Sequence, residues 1–317
     1  MAGVLLLIVT GARAALVQEY LNVTDPNPLL GAYERTYMID VPPACLASAA
    51  VCPMLVYFHG QGGAFKTDAA VFATLGETEG YITVAPKGMA DGEAGDACWS
   101  VKAEGRTDVC TDDCVPTYMK SCNTTGTKSR CSWATCYDDV HFVAELLAAL
   151  QRAHRIDASR IYATGASNGA MMSDYLATVM PATFAAIAPW YGALLEHYDG
   201  APARASMAGT SLLAVHGLKD KEIPAAGGVS ADFFKYVSER QLLSSWAAAN
   251  GCAVTGTNIT TPYDSAPLLH QCERYMGCST PGVAVIYCYF PNQAHGFWPK
   301  FAEELTWWFV KDKTLQA

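Results

Sequence analysis

Arg160-Ile161-Tyr162-Ala163-Thr164-Gly165-Ala166-Ser167-Asn168-Gly169-Ala170-Met171-Met172 is the stretch around which the rest of the chain falls into place. Ile161 to Ala163 is a short apolar run of strand type, and Ala170 to Met180 has helical character. Between them, Gly165 and Gly169 flank Ser167. A strand, a sharp turn and a helix, with serine at the apex, push a hydroxyl out of the chain at a strained backbone angle. A side chain two residues before or after the serine would collide with the opposing backbone, and glycine removes it. The helix start then lays N–H groups beside the hydroxyl, where an oxyanion can be held. The pattern alone is weak, because a surface turn gives the same spacing and the chain has 26 glycines.

The 317 residues are 51% hydrophobic and 16% charged, which is a globular composition with ample length for a large core. Net charge is −9 and no run of Lys and Arg occurs, which argues against nucleic acid and anionic membrane surfaces as partners. Residues 1–14 read as a secretory signal: the apolar run is too short to span a bilayer and Ala12-Arg13-Ala14 is a small-x-small cleavage site. Twelve cysteines, none in a Cys-x-x-Cys pair, read as disulfides of an oxidising compartment rather than as a zinc site. Sequons at Asn22, Asn123 and Asn258 agree with a secreted, extracellular glycoprotein.

Residues 15–317 read as a single α/β domain. Glu34 to Val41 alternates as a strand. Met54 to Phe58, Tyr81 to Ala85, Phe184 to Ala188, Ser211 to Val215 and Ala284 to Phe290 are apolar runs of buried-strand type. The linkers are long enough for helices, which signals a mostly parallel central sheet flanked by helices. Asp138-Asp139 opens one helix, with the acids suiting its dipole. Phe233 to Ala249 and Phe301 to Lys311 are two more. Residues 87–136 break the rhythm and hold six of the cysteines. They are read as a cysteine-rich insertion beside the sheet's carboxyl edge, where binding loops sit.

A serine hydroxyl needs a base, and the base needs an orienting acid. Ser167, Asp220 and His295 stand in that order, each just past a strand run. Glu222 is the alternative acid, less favoured because it lies further from the strand end. His59 and His216 each precede a glycine and read as turn residues. His141, His154, His197 and His270 have no such context. Oxyanion donors are expected from the N–H of Asn168 and from Gln61, in the glycine-rich loop after Met54 to Phe58. Trp298, Trp190 and Tyr191, with Trp99 and Tyr137 at the ends of the insertion, are candidate substrate-binding aromatics, although core packing is as good a reading for any one of them. This chemistry requires no metal or cofactor.

The segments Leu55-Val56-Tyr57-Phe58-His59-Gly60, Cys136-Tyr137-Asp138-Asp139-Val140-His141-Phe142, Tyr162 to Gly169, His216-Gly217-Leu218-Lys219-Asp220, Trp246 to Cys252 and His295-Gly296-Phe297-Trp298 together resemble the secreted feruloyl esterase and polyhydroxybutyrate depolymerase family of α/β-hydrolases. The resemblance runs from about Met54 to Trp298. It implies the triad Ser167, Asp220 and His295, oxyanion donors at Asn168 and the position after His59-Gly60, and feruloyl or acetyl esters of plant-type polysaccharide as substrates. The family often has cysteine or glycine where this chain has Gln61, and usually a second glycine where it has Ala170. A polyhydroxyalkanoate depolymerase is the alternative within the same chemistry. A peptidase, or a non-catalytic hydrolase-fold protein that binds glycans or a partner, is the alternative outside it.

Overall fold

The apolar runs form the middle of a ten-stranded sheet in the computed structural model, which describes residues 16–47, 51–63, 65–91, 96–102, 106–115, 119–127, 130–196, 207–263 and 270–315. Residues 1–14, read as a signal, lie outside the described residues. The strands are β1 (Val17–Thr24), β2 (Ala32–Asp40), β3 (Cys52–Phe58), β4 (Ile82–Pro86), β5 (Ile156–Ala166), β6 (Ala186–Trp190), β7 (Ser211–Gly217), β8 (Gly228–Val229), β9 (Lys235–Tyr236), β10 (Gly256–Ile259), β11 (Gln271–Tyr275) and β12 (Val285–Phe290). The sheet order is β1-β2-β4-β3-β5-β6-β7-β12-β11-β10, and β8 pairs with β9 in a separate ribbon.

The six central strands run parallel, and the outer four are antiparallel. Every residue of β3, β4, β6 and β7 is buried, as expected for strands covered on both faces. Successive side chains go to opposite sides: Val56 joins the cluster with Leu146 and Trp246, and Leu55 the cluster with Phe72 and Trp307. The covering helices are α2 (Phe65–Glu79), α4 (Asp139–Ala153), α5 (Asn168–Val179), α6 (Glu239–Ala249) and α7 (Ala302–Val310); α1 (Pro43–Ala47) and α3 (Lys120–Thr125) are short.

Two expectations are corrected. The helix expected from Phe233 begins only at Glu239, behind the Ser238 cap, whose side chain accepts from the Gln241 N–H. Phe233 to Tyr236 instead pair with the insertion and β8: Thr111 N–H donates to Phe233 O at 2.9 Å and Lys235 N–H to Val109 O at 2.9 Å. The helix acids also have separate tasks. Asp138 caps α4 by accepting from the His141 N–H, whereas Asp139 is wholly buried against Arg35, 2.7 Å away.

Ten cysteines form the pairs Cys45–Cys52, Cys110–Cys131, Cys122–Cys136, Cys252–Cys278 and Cys272–Cys288. Cys98 and Cys114 are buried and belong to none of these five. Two of the bridges staple the insertion onto itself. The sequon residues Asn22, Asn123 and Asn258 are all exposed.

Candidate active site

Ser167 caps α5 with φ 55° and ψ −121°, a backbone angle that non-glycine residues rarely adopt. The two glycines make the turn possible. A Cβ on Gly169 would sit 2.0 Å from Phe58 O, and one on Gly165 2.5 Å from the Gly169 carbonyl. The elbow is thus pressed against the end of β3, the strand that leads into Gln61.

Loops after three parallel strands converge here. His295, beyond β12, has Nε2 2.8 Å from Ser167 Oγ and Nδ1 2.7 Å from Asp220 Oδ2. Asp220, beyond β7, accepts from the backbone N–H groups of Glu222 and Ile223 at 2.9 Å each through Oδ1. Burial pushes the Asp220 carboxyl up, but hydrogen bonds from His216, His295 and the Ile223 N–H outweigh it and hold the group below the usual carboxylate range. Glu222 stands on the other side of the ring, 3.5 Å from His295 Nε2, with a side chain 67% exposed. Asp220, not Glu222, is thus the carboxylate on His295 Nδ1.

Solved structures share this architecture. Acetyl xylan esterase from Aspergillus awamori superposes with a TM-score of 0.55 at 17% identity, over 92% of this chain and 99% of that one. The chain has the α/β-hydrolase fold. S-formylglutathione hydrolase from Agrobacterium tumefaciens is similar with a TM-score of 0.52 at 13% identity, over 95% and 97% of the two chains. Pyrococcus horikoshii acylaminoacyl peptidase gives 0.51 at 13% identity, over 95% of this chain and 42% of that one. In sequence, 186 residues are 29% identical to feruloyl esterase B of Piromyces equi, which is 56% of this chain and only 32% of that protein. No protein-family model matches the chain.

In this hydrolase fold the serine opens onto a cavity of about 560 Å³ bounded by Tyr57, Gln61, Asp68, Phe72, Tyr191 and Trp298, among others. A second cavity of about 60 Å³ lies across Ser167 and His295, walled by Gln61, Trp133 and Tyr236. Trp298 and Tyr191 thus face the site. Trp190 does not line either cavity: it is fully buried behind Trp298, ring centroids 4.9 Å apart, and donates through Nε1 to Thr306 Oγ1. Trp99 is likewise core, donating to His59 O at 2.9 Å. Tyr137 packs on Tyr33, centroids 4.5 Å apart, and lines neither cavity. The insertion reaches the site through other residues, Asp96 on the large cavity and Trp133 on the small one.

Gln61 borders both cavities beside Ser167. His59 is structural. Its Nε2 accepts from the Gly88 N–H at 2.9 Å and its Nδ1 donates to Gly60 O, while burial lowers its pKa to about 4. His216 is more than the turn residue its sequence context suggests. It is fully buried and contacts both Asp220 and Glu239. The sequence signal for it was the spacing of four between His216 and Asp220 across a strand end. The cavity carboxylates Asp68 and Glu303 carried no such signal. Asp68 accepts from Tyr57 Oη at 3.0 Å, Glu303 from Trp298 Nε1 at 2.7 Å, and burial raises the pKa of both. Among the described residues, no group of three or more His, Cys, Asp and Glu could hold a metal ion.

Proposed function

We propose that the chain is a serine carboxylic-ester hydrolase working through an acyl-enzyme. The observation that carries this reading is the continuous hydrogen-bonded line Ser167 Oγ–His295 Nε2, His295 Nδ1–Asp220 Oδ2, at a strained elbow that opens onto a cavity. His295 takes the Ser167 proton as Oγ attacks the ester carbonyl. Asp220 fixes the ring with its N–H on Nδ1 and stabilises the imidazolium. The N–H groups of Asn168 and Gln61 receive the oxyanion. His295 then returns the proton to the departing alcohol, and water enters by the same route to release the acid.

The substrate class follows from the lining. Asp68, Asp96, Glu222 and Glu303 border the large cavity and, among the described residues, neither lysine nor arginine does. Anionic esters are repelled there, and uncharged esters whose hydroxyl groups can donate to carboxylates are favoured. Trp298 and Tyr191 add flat apolar faces. Acetyl or feruloyl esters on a polysaccharide fit this lining, and the partial likeness to a feruloyl esterase supports them. The five disulfides and three exposed sequons support secretion into an extracellular, oxidising medium. No described helix is long and apolar enough to cross a membrane.

The test is a substrate panel on purified protein: 4-nitrophenyl acetate, methyl ferulate, acetylated xylan, polyhydroxybutyrate and an acyl anilide, each with Ser167→Ala beside it. Turnover of the acetate and ferulate that disappears in folded Ser167→Ala is the expected result. Turnover that survives the substitution removes Ser167 from the mechanism, and activity confined to the anilide makes the protein a peptidase.

A further inference from the structure

We propose that His216, itself held by Glu239, is a positioning residue of the triad: a second histidine that fixes the Asp220 carboxylate against His295. The inference rests on the reading of Ser167, Asp220 and His295 as a hydrolytic triad.

The geometry is specific. Asp220 Oδ2 is shared by two rings, His295 Nδ1 at 2.7 Å and His216 Nε2 at 3.2 Å. His216 Nε2 also lies 2.8 Å from Ile223 O, and Nδ1 lies 2.7 Å from Glu239 Oε1. A carbonyl and a carboxylate only accept hydrogen bonds, so each nitrogen of His216 must carry a proton, and the ring is an imidazolium. Neither His216 nor the Asp220 side chain is exposed, and Glu239 is only 2% exposed, so water does not screen these contacts. Burial lowers the affinity of His216 for its proton, but the bonds to Asp220 and Glu239 outweigh it and raise its pKa to about 9.

The other titratable groups around the ring do not undo this. Asp174 of α5 is fully buried, and desolvation followed by the Glu239 carboxylate raises its pKa well above the usual range. Tyr191, Tyr236 and Tyr287 face the acids of the cluster from the loop after β6, from β9 and from β12, and burial keeps all three neutral. Glu222 points to solvent beyond His295. The charged pair at the heart of the cluster is therefore His216⁺ and Asp220⁻. Proton transfer from Ser167 then places a second imidazolium, His295, on the same carboxylate oxygen.

Two consequences follow for catalysis. The Asp220 carboxylate cannot rotate away from His295, since Oδ1 is tied to two backbone N–H groups and Oδ2 to His216. The charge on His216 also withdraws part of the Asp220 field from His295.

The experiment compares His216→Gln with wild type on 4-nitrophenyl acetate across pH, after circular dichroism has shown both folded, with Ser167→Ala as control. The expected result is a fall in kcat on the order of tenfold to a hundredfold with KM little changed. The acid limb of kcat/KM should also move upward by about half a pH unit or more, because a positive charge near His295 is gone. A folded variant with the wild-type limb and kcat overturns the proposal. If the variant does not fold, ¹⁵N spectra of the native protein labelled at histidine decide: His216 must show two protonated ring nitrogens from pH 5 to 8, and a singly protonated ring overturns the proposal. Activity that survives Ser167→Ala defeats the hydrolase reading instead, and the spectra still report on His216.

Discussion

Replacing Asp220 with Asn tests the triad most sharply, because the structure fixes what the substitution does. The new amide keeps Oδ1 as acceptor for the Glu222 and Ile223 N–H groups, which places Nδ2 where Oδ2 was. A donor now faces His295 Nδ1, 2.7 Å away in the native site. The ring answers by moving its proton to Nε2, the nitrogen 2.8 Å from Ser167 Oγ. That nitrogen then has no lone pair for the serine proton. The wrong tautomer in a serine triad costs on the order of ten-thousandfold in kcat, or about 5 kcal/mol of transition-state stabilisation. Glu222→Gln is the internal control: its side chain is 67% exposed and 3.5 Å from the ring, so turnover should stay within about threefold. Nitrophenolate release from 4-nitrophenyl acetate reads both. Asp220→Asn retaining more than about a tenth of wild-type turnover, or Glu222→Gln being the worse variant, would refute the assignment.

Other outcomes follow from the same contacts. The pKa of His216 is raised to about 9, so its contribution to stability is complete below about pH 6.5 and is lost as pH climbs through 9. The contribution is on the order of 3 kcal/mol, and melting curves from pH 6 to 10 should show a decline that His216→Gln lacks. Trp298→Ala removes a cavity wall and leaves Glu303 without its donor, so KM for methyl ferulate should rise about tenfold while that for a small acetate ester changes little. Equal losses on both, with earlier melting, would make the ring purely structural. The Cys110–Cys131 bridge closes a separation of 21 residues, and replacing both with Ser should cost about 3 kcal/mol in denaturant unfolding. A midpoint unchanged by the double substitution would mean the bridge does not form.

The parallel strands were legible because they are buried on both faces, and such strands read as continuous apolar runs. The edge strands were not. β1 reads VQEYLNVT with exposed and half-buried positions, and β10 has no buried residue. Their pairing comes from neighbours far along the chain, which no local pattern records. The convergence of Ser167, Asp220 and His295 was legible because each follows a parallel strand and the order is characteristic. Trp190 was misplaced because a strand end says that a residue is near the site, not which way the ring points. β6 directs this one into the core behind Trp298. The acids of the cavity come from α2, α7, the insertion and the loop after β7, and only the folded chain brings them together.

Ser-Asn-Gly at the elbow and Asp-Asp at the start of α4 are the more specific parts of the family resemblance, and the structure shows that they serve the same few residues. Asn168 Oδ1 accepts from the Trp99 N–H at 2.7 Å, and its Nδ2 donates to Trp99 O at 3.2 Å. Asp139 Oδ2 accepts from the Ser100 N–H at 2.7 Å, while its Oδ1 receives Arg35 at 2.7 Å. Two side chains thus pin the backbone of Trp99 and Ser100, within the insertion, across the elbow. The Asn168 side chain is therefore structural, and its backbone N–H is the group assigned to the oxyanion. Asn168→Ala should leave the Trp99 N–H and C=O buried without partners, at about 1–3 kcal/mol each. Urea unfolding should report a loss of roughly 2–5 kcal/mol. Turnover of the folded variant should fall far less than in Ser167→Ala, because the backbone donor remains. A stable Asn168→Ala protein as inactive as Ser167→Ala would place the amide side chain in the chemistry itself.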